Sequence, residues 1–303
     1  MGRKICVIGI GLIGGSMALS LKRNGLAGYV VAVDANPRHA ERALALGLAD
    51  EVLTLSEAVA KSDVIILSVP VNAAEKLLPE VLDMIGVHQM VMDVGSTKTG
   101  IINAVSNHPF RKRFVPTHPM WGTEFSGPDA ATIHSFQGKA VVITNKDDAD
   151  EDAVKLAEEI YKSLGMHFVY MSADAHDLHA AYVSHISHIT SFALANTVLE
   201  KEKEEDTIFQ LASGGFESTV RLAKSNADMW VPIFMQNREN VLDVLNEHIS
   251  QLRKFKSCLE KENYAYLREL IEKANEIGRV LVENQNMRLN LGAEAKENQG
   301  NGG

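Results

Sequence analysis

The chain has 303 residues, 46% apolar and 23% charged, with a net charge of −9, enough for two domains with ample core. That charge, with no basic cluster to offset it, argues against nucleic acid as a partner, and no apolar run approaches the length of a membrane span. Cys6 and Cys258 are the only cysteines, and Cys6 falls in a strand that the N-terminus enters at once. The expectations are a reducing compartment, no structural disulfide, no signal peptide and a cytoplasmic protein.

Lys4 to Ile8 is an apolar run with the pattern of a buried strand. Gly9-Ile10-Gly11-Leu12-Ile13-Gly14 follows directly, and Ser16 to Leu21 continues at helical spacing. Strand, glycine turn and helix in this order form a dinucleotide-binding fingerprint. Gly9 permits the tight turn, Gly11 lets a pyrophosphate approach the backbone, and Gly14 lets helix and strand pack closely. The helix start, at Leu12 and Ile13, offers free N–H groups to phosphates. Tyr29 to Val33 is the second strand and ends at Asp34, about twenty residues after Gly14, where a carboxylate accepts from ribose hydroxyls. A 2'-phosphate would meet a like charge there, which favours NAD over NADP, with Arg38 nearby as a partial offset.

The alternation continues. Pro37 to Leu46 is a helix with Asn36 as N-cap and Gly47 as its stop. Val52-Leu53 is a brief strand, and Ser56 to Lys61 a short helix. Asp63 to Val69 is a strand, apolar almost throughout as a doubly covered parallel strand should be. Ala73 to Ile85 is a helix that Pro79 is expected to kink or split. Gln89 to Val94 is a strand ending at Gly95-Ser96, Lys98 to Ser106 a helix, and Arg113 to Pro116 a strand running into Thr117-His118-Pro119. Lys139 to Thr144 and His167 to Met171 are further strands, separated by an acidic run, Asp147 to Asp152, and an amphipathic helix, Ala153 to Leu164. This βαβ order predicts an α/β fold with a doubly wound parallel sheet.

From Asp174 the strand signal ends. Ala175 to Glu200 is a long helix, apolar on most faces and so expected to be buried between helices. Gly214-Gly215 breaks the next stretch. Helical patterns resume from Ala227 to Lys261 and from Asn263 to Asn284. The predicted organisation is a Rossmann-type nucleotide domain over 1–171, an all-helical domain over 172–284, and a polar, disordered tail over 285–303.

Ligands bind such sheets beyond the carboxyl ends of the strands, so Gly9, Asp34, Ser68-Val69-Pro70 and Gly95-Ser96 mark one rim, with His118 expected on it. A neutral His118 can accept a proton from a substrate hydroxyl as hydride leaves the same carbon; otherwise it is a loop histidine bonded to backbone. His185 and His188 sit three apart on the long helix, and His176 and His179 repeat that spacing. No cysteine or well-placed carboxylate accompanies them, so no metal site is expected; a polar stripe lining a cleft, or a bonded core histidine, are the readings left open. Arg221, after the glycine pair, suits capture of a carboxylate, or pairs with Glu217 at the surface.

These residues occur in a familiar series. The glycine turn, Asp93-Val94-Gly95-Ser96-Thr97-Lys98, His118-Pro119-Met120 with Gly122-Thr123-Glu124, Val183-Ser184-His185, and Gly214-Gly215-Phe216 with Arg221 together resemble the prephenate/arogenate dehydrogenase family of tyrosine biosynthesis, from about Arg3 to Asn284. The resemblance implies NAD-dependent oxidative decarboxylation of prephenate to 4-hydroxyphenylpyruvate. His118 would accept the hydroxyl proton, and Ser96 would orient His118 and the nicotinamide. His185, Arg221 and Thr123 would contact substrate, Arg221 through a carboxylate, and Glu124 would help close the pocket. It also implies a homodimer joined through the helical domain. Two departures bear on substrate. Glu217 stands where some relatives carry a basic residue, which would favour the amine of arogenate, and Trp121 replaces a smaller residue.

A 3-hydroxyacid dehydrogenase would share this layout, but such enzymes resemble it while relying on a lysine in the long interdomain helix, and Ala175 to Glu200 contains none. A regulatory module that binds NAD without chemistry would not need Ser96, His118, His185 and Arg221 together.

Overall fold

A computed structural model gives the fold; it describes residues 2–205 and 207–300, with side chains through Glu283. Eight strands form one sheet: β1 Arg3–Ile8, β2 Ala27–Val33, β3 Glu51–Val52, β4 Val64–Leu67, β5 Met90–Asp93, β6 Phe114–Pro119, β7 Ala140–Thr144 and β8 His167–Met171. Their order is β3-β2-β1-β4-β5-β6-β7-β8. All neighbours are parallel except β6 and β7, which run antiparallel. The chain direction across the sheet reverses between β1 and β4, which places a crevice beyond their carboxyl ends.

The period of two in each strand explains the layers. Ile5 and Val7, Val64 and Ile66, and Met90 and Met92 face one core with helices α1 Leu12–Arg23 and α6 Glu151–Ser163. Cys6 and Ile8, Ile65 and Leu67, and Val91 face the other, under α3 Leu55–Lys61, α4 Val71–Met84 and α5 Thr99–Ala104. Helix α2 Pro37–Ala45 begins as expected, with the Asn36 side chain accepting from the Arg38 N–H, and Gly47 takes φ +69 just past its end. Pro79 lies within α4, which runs unbroken: residues on both sides of it, Leu78, Val81 and Leu82, are anchored in the core.

After β8 the chain is helical: α7 Ala173–Ala180, α8 Ile186–Glu202, α9 Gly214–Val220, α10 Ala227–Gln236, α11 Arg238–Glu260 and α12 Tyr264–Gly300. A π-helical turn, Ala181–His185, joins α7 to α8, so the predicted single helix carries one extra-wide turn. Three expectations are corrected. Helix α8 buries only Ser191, so its apolar residues do not make it a core helix of this chain. The Gly214-Gly215 pair opens α9, because nothing crowds either glycine and a first turn tolerates them. The predicted helix from Ala227 breaks at Asn237 into α10 and α11. Helix α12 extends to Gly300, into the span of the expected polar tail over 285–303. Residues 301–303 of that tail lie outside the described residues.

The chain forms two compact units, Met1–Val241 and Leu242–Gly303. The first holds the sheet and the helices through α10. The second holds most of α11 and all of α12. Among the described residues no helix is long and apolar enough to cross a membrane. Cys6 and Cys258 are both buried and free, and burial pushes the Cys6 thiol up to about 12.

Candidate active site

The rim at the carboxyl ends of β1, β2, β4, β5 and β6 gathers most of the sequence candidates. Gly9 takes φ +91, and a Cβ there would lie 2.3 Å from the Ser68 carbonyl oxygen. A Cβ on Gly14 would lie 2.3 Å from the Gly9 carbonyl oxygen. At Gly11 the same atom would meet nothing within 4 Å. Gly9 and Gly14 are therefore required by packing, whereas Gly11 borders open space. No side chain caps α1, so the N–H groups at Leu12 and Ile13 start an uncapped helix beside that space, a cradle that fits a phosphate-bearing ligand. Asp34 is held by this loop: Oδ2 accepts from the Ile10 N–H at 3.0 Å and Oδ1 from the Asn36 N–H at 2.9 Å. Ser68 is tied to Ile8 at 2.7 Å, and Pro70 leads into α4 beside the same turn.

His118 lies in β6, opposite Val142 of β7 and past the point where β6 pairs with the end of β5. Its Nδ1 is 2.8 Å from His176 Nε2, and His176 Nδ1 is 2.8 Å from Asp177 Oδ1. His118 Nε2 carries no hydrogen bond among the described residues. Burial, then the neighbouring His176, Lys98 and His185, hold the His118 imidazole well below its usual range, so it is neutral near pH 7. Below it Lys98 and Asp93, 0% and 1% exposed, form a buried ion pair. Asp93 also accepts from Gly95 and Thr117 N–H at 2.9 and 3.2 Å, and Thr117 reaches Tyr161 at 2.5 Å. The strand end that carries His118 is thus fixed by charge-assisted bonds. Ser96 is on the loop after β5, and the His118 Nδ1 meets His176 of α7.

His185 is 1% exposed. The Asn237 amide nitrogen donates to the Asp177 carbonyl at 2.6 Å, which fixes the amide orientation, and the same nitrogen reaches His185 Nδ1 at 3.1 Å. Nδ1 must then be the acceptor, so Nε2 carries the proton. That N–H is buried and unpaired, as is the indole N–H of Trp230, whose ring centroid lies 5.9 Å from that of His185. Burial first, with Asp177 opposing, drives His185 down to about 4. His188 also meets Trp230, stacking on it at 3.5 Å, and donates to the Ser184 carbonyl. His179 is exposed.

Arg221 follows α9 and pairs with Glu124 at 3.1 Å, not with Glu217. Thr123 accepts the Phe125 N–H and shapes the turn that presents Glu124. The Glu124 carboxylate is lowered by its own backbone N–H, against some burial, and further by Arg221. Glu217 is exposed. Trp121 packs edge-on against Phe136 beside the first core. Sequence reasoning placed His176 only in a spaced histidine stripe, missed Asp177, Asn237 and Trp230 as parts of this centre, and gave Lys98 only within the motif series. A histidine followed directly by an aspartate at the head of the long helix was the signal for His176 and Asp177.

The family model for the prephenate dehydrogenase nucleotide-binding domain matches residues 17–170, starting just beyond the glycine turn, and that for the prephenate dehydrogenase dimerization domain matches 172–273. The chain belongs to the prephenate dehydrogenase family. It is an oxidoreductase, a dehydrogenase of tyrosine biosynthesis. It is 30% identical over 262 residues to the prephenate dehydrogenase of Bacillus subtilis strain 168, covering 86% of this chain and 71% of that one. It is 29% identical to the cyclohexadienyl dehydrogenase of Zymomonas mobilis, over 88% and 92% of the two chains. The crystal structure of prephenate dehydrogenase from A. aeolicus in complex with hydroxyphenyl propionate and NAD+ superimposes with a TM-score of 0.83 at 30% identity, covering 93% of this chain and 98% of that one.

Proposed function

We propose that this member of the family oxidises prephenate to 4-hydroxyphenylpyruvate with NAD+, His118 acting as the proton acceptor. The observation that carries the proposal is a buried-edge imidazole, kept neutral, with Nε2 unbonded, on the rim that begins at an open glycine cradle. Bound there, NAD+ supplies the acceptor for the hydride. Gly11, Leu12 and Ile13 would receive the pyrophosphate, Gly9 and Gly14 keep the loop in place, and Asp34 would accept from the adenosine ribose, its charge disfavouring a 2'-phosphate. Ser68, Pro70 and Ser96 would line the nicotinamide end. His118 Nε2 takes the proton of the ring hydroxyl as hydride leaves the same carbon.

The helical part supplies the substrate contacts. Arg221 would exchange Glu124 for a substrate carboxylate, with Glu124 and Thr123 closing the site behind it. His185 would offer its neutral Nε2–H, which has no partner in the protein, to a substrate oxygen. The division proposed is a nucleotide domain over 1–171 and a substrate and dimerisation domain over 172–284, the protein acting as a homodimer. A second reading is arogenate oxidation to tyrosine: Glu217 is exposed one helical turn before Arg221, where it could meet an amine.

Initial rates of NADH formation with prephenate and with arogenate, using NAD+ and NADP+, decide among these. His118→Asn is expected to lower kcat by at least about 100-fold with NAD+ affinity unchanged. Arg221→Ala is expected to raise the substrate KM by about tenfold or more while leaving NAD+ binding alone. Equal loss of turnover and NAD+ affinity in His118→Asn would overturn the assignment.

A further inference from the structure

We propose that His176 and Asp177 are positioning residues that form a two-step proton store behind His118. The proposal rests on the reading of His118 as proton acceptor and extends it to residues to which that reading assigns no role. Asp177 is the fixed end. Its Oδ1 accepts from the Lys98 N–H at 2.8 Å and its Oδ2 from the Thr99 N–H at 2.9 Å, so the carboxylate is anchored at the start of α5. Burial pushes its carboxyl up, but the bonds from His176 and Thr99 more than offset this and keep it below the usual range. An ionised carboxylate only accepts, so His176 Nδ1 must carry a proton. A neutral His176 then has its lone pair on Nε2, and His118 Nδ1 must donate to it. His118 Nε2 is left as a lone pair. One carboxylate thereby sets both ring tautomers and makes His118 an acceptor on its open side.

The charges around the two rings differ. His118 is faced by the Lys98 ammonium from the loop after β5, by His185 from the π-turn and by His176 from α7. None of these favours an imidazolium at His118. His176 is 2% exposed and directly bonded to the Asp177 carboxylate, itself 3% exposed. The carboxylate thus lies one ring behind the point where the proton arrives. The hydroxyl O–H bond breaks and the proton joins His118 Nε2, while the C–H electron pair leaves as hydride to the nicotinamide. The Nδ1 proton of His118 passes to His176 Nε2, leaving His118 neutral and an imidazolium beside Asp177. Loss of the ring carboxylate as CO2 returns an electron pair to the ring and creates a phenolate oxygen. The two transfers then run backwards, and His118 Nε2 delivers the proton to that oxygen. Prephenate and NAD+ give hydroxyphenylpyruvate, CO2 and NADH with no net proton released, so a store that returns its proton fits the stoichiometry.

Two variants of the full-length protein separate the parts of this proposal. In Asp177→Asn the amide can donate to His176, which reverses both tautomers and protonates His118 Nε2. Imidazole nitrogen shifts, read by NMR on histidine-labelled protein without substrate, are expected to show that reversal. The single-turnover rate of NADH formation is expected to fall about 1,000-fold or more, with substrate KM and NAD+ affinity within about threefold of wild type. In His176→Gln the side-chain oxygen can still accept from His118 Nδ1, so the His118 tautomer stays, but no proton can be stored. Its rate is expected to fall about tenfold to 100-fold, and its dependence on the deuterium fraction of the solvent to change from curved to linear. Wild-type rates and an unchanged solvent dependence in His176→Gln would overturn the proposal, and that variant decides alone if Asp177→Asn does not fold. If both variants behave as wild type while His118→Asn is inactive, the store fails and the acceptor role stands. If His118→Asn retains turnover, the acceptor role itself fails.

Discussion

Three glycines in one turn do two different jobs. Gly14 has a carbonyl oxygen 2.3 Å from where a Cβ would sit, in the backbone of the same loop. Gly11 has open space. Gly11→Ala should leave the thermal midpoint within about 2 °C of wild type while weakening NAD+ binding tenfold or more, because the added methyl only meets a ligand. Gly14→Ala should lower the midpoint as well, because helix and loop must part. Paired melting curves and NAD+ titrations check this; a stability loss in Gly11→Ala equal to that in Gly14→Ala would show that Gly11 is also a packing glycine. The same distinction separates the histidines. His118 is neutral with an open Nε2, His185 neutral with a buried N–H, and His176 bonded at both nitrogens.

At the scale of elements, the end of β5 is held to the loop that follows it by the Lys98–Asp93 pair, which no solvent reaches. Removing one partner of a buried pair leaves the other charge uncompensated, a cost of about 3–5 kcal/mol. Lys98→Met should therefore lower the free energy of unfolding by about that amount, measured by urea titration. A loss under about 1 kcal/mol would mean that the Gly95 and Thr117 N–H groups alone satisfy Asp93. Helix α7, the π-turn and the α10–α11 break act on the same loop from the helical side: Asp177 accepts from Lys98 and Thr99, and Gln236 meets Thr97 at 2.6 Å. The helices therefore do more than cover the sheet; they complete the centre at the end of β5.

For the whole molecule, the buried histidines set how stability responds to acid. An unfolded histidine takes up its proton near pH 6.5, whereas native His185 resists protonation down to about 4, and His118 is shifted in the same direction. Between those values the unfolded chain binds more protons than the native one, so stability is complete above about pH 6.5 and falls as the pH drops toward 4. His185 alone accounts for about 3 kcal/mol across that window. Urea midpoints measured from pH 7.5 to 4 should fall accordingly, and His185→Gln should flatten the decline. Parallel curves for the two proteins would place the acid sensitivity elsewhere.

The sequence by itself determined the alternation of strands and helices, the glycine turn with Asp34, the caps at Asn36 and Gly47, and the rim on which Gly9, Ser96 and His118 stand. Each of these follows from local periodicity, backbone freedom or the rule that parallel strands end on one side. The motif series Gly95-Ser96, His118-Pro119 and Gly122-Thr123-Glu124 also pointed to the family. Tertiary structure alone decided which groups meet. His118 is bonded to His176, and Arg221 meets Glu124 and not Glu217, across 58 and 97 residues of chain. The His185 tautomer depends on Asn237, which sits where a single predicted helix breaks in two. Such contacts have no period in the sequence, because they are set by how helices and sheet pack and not by what either does alone.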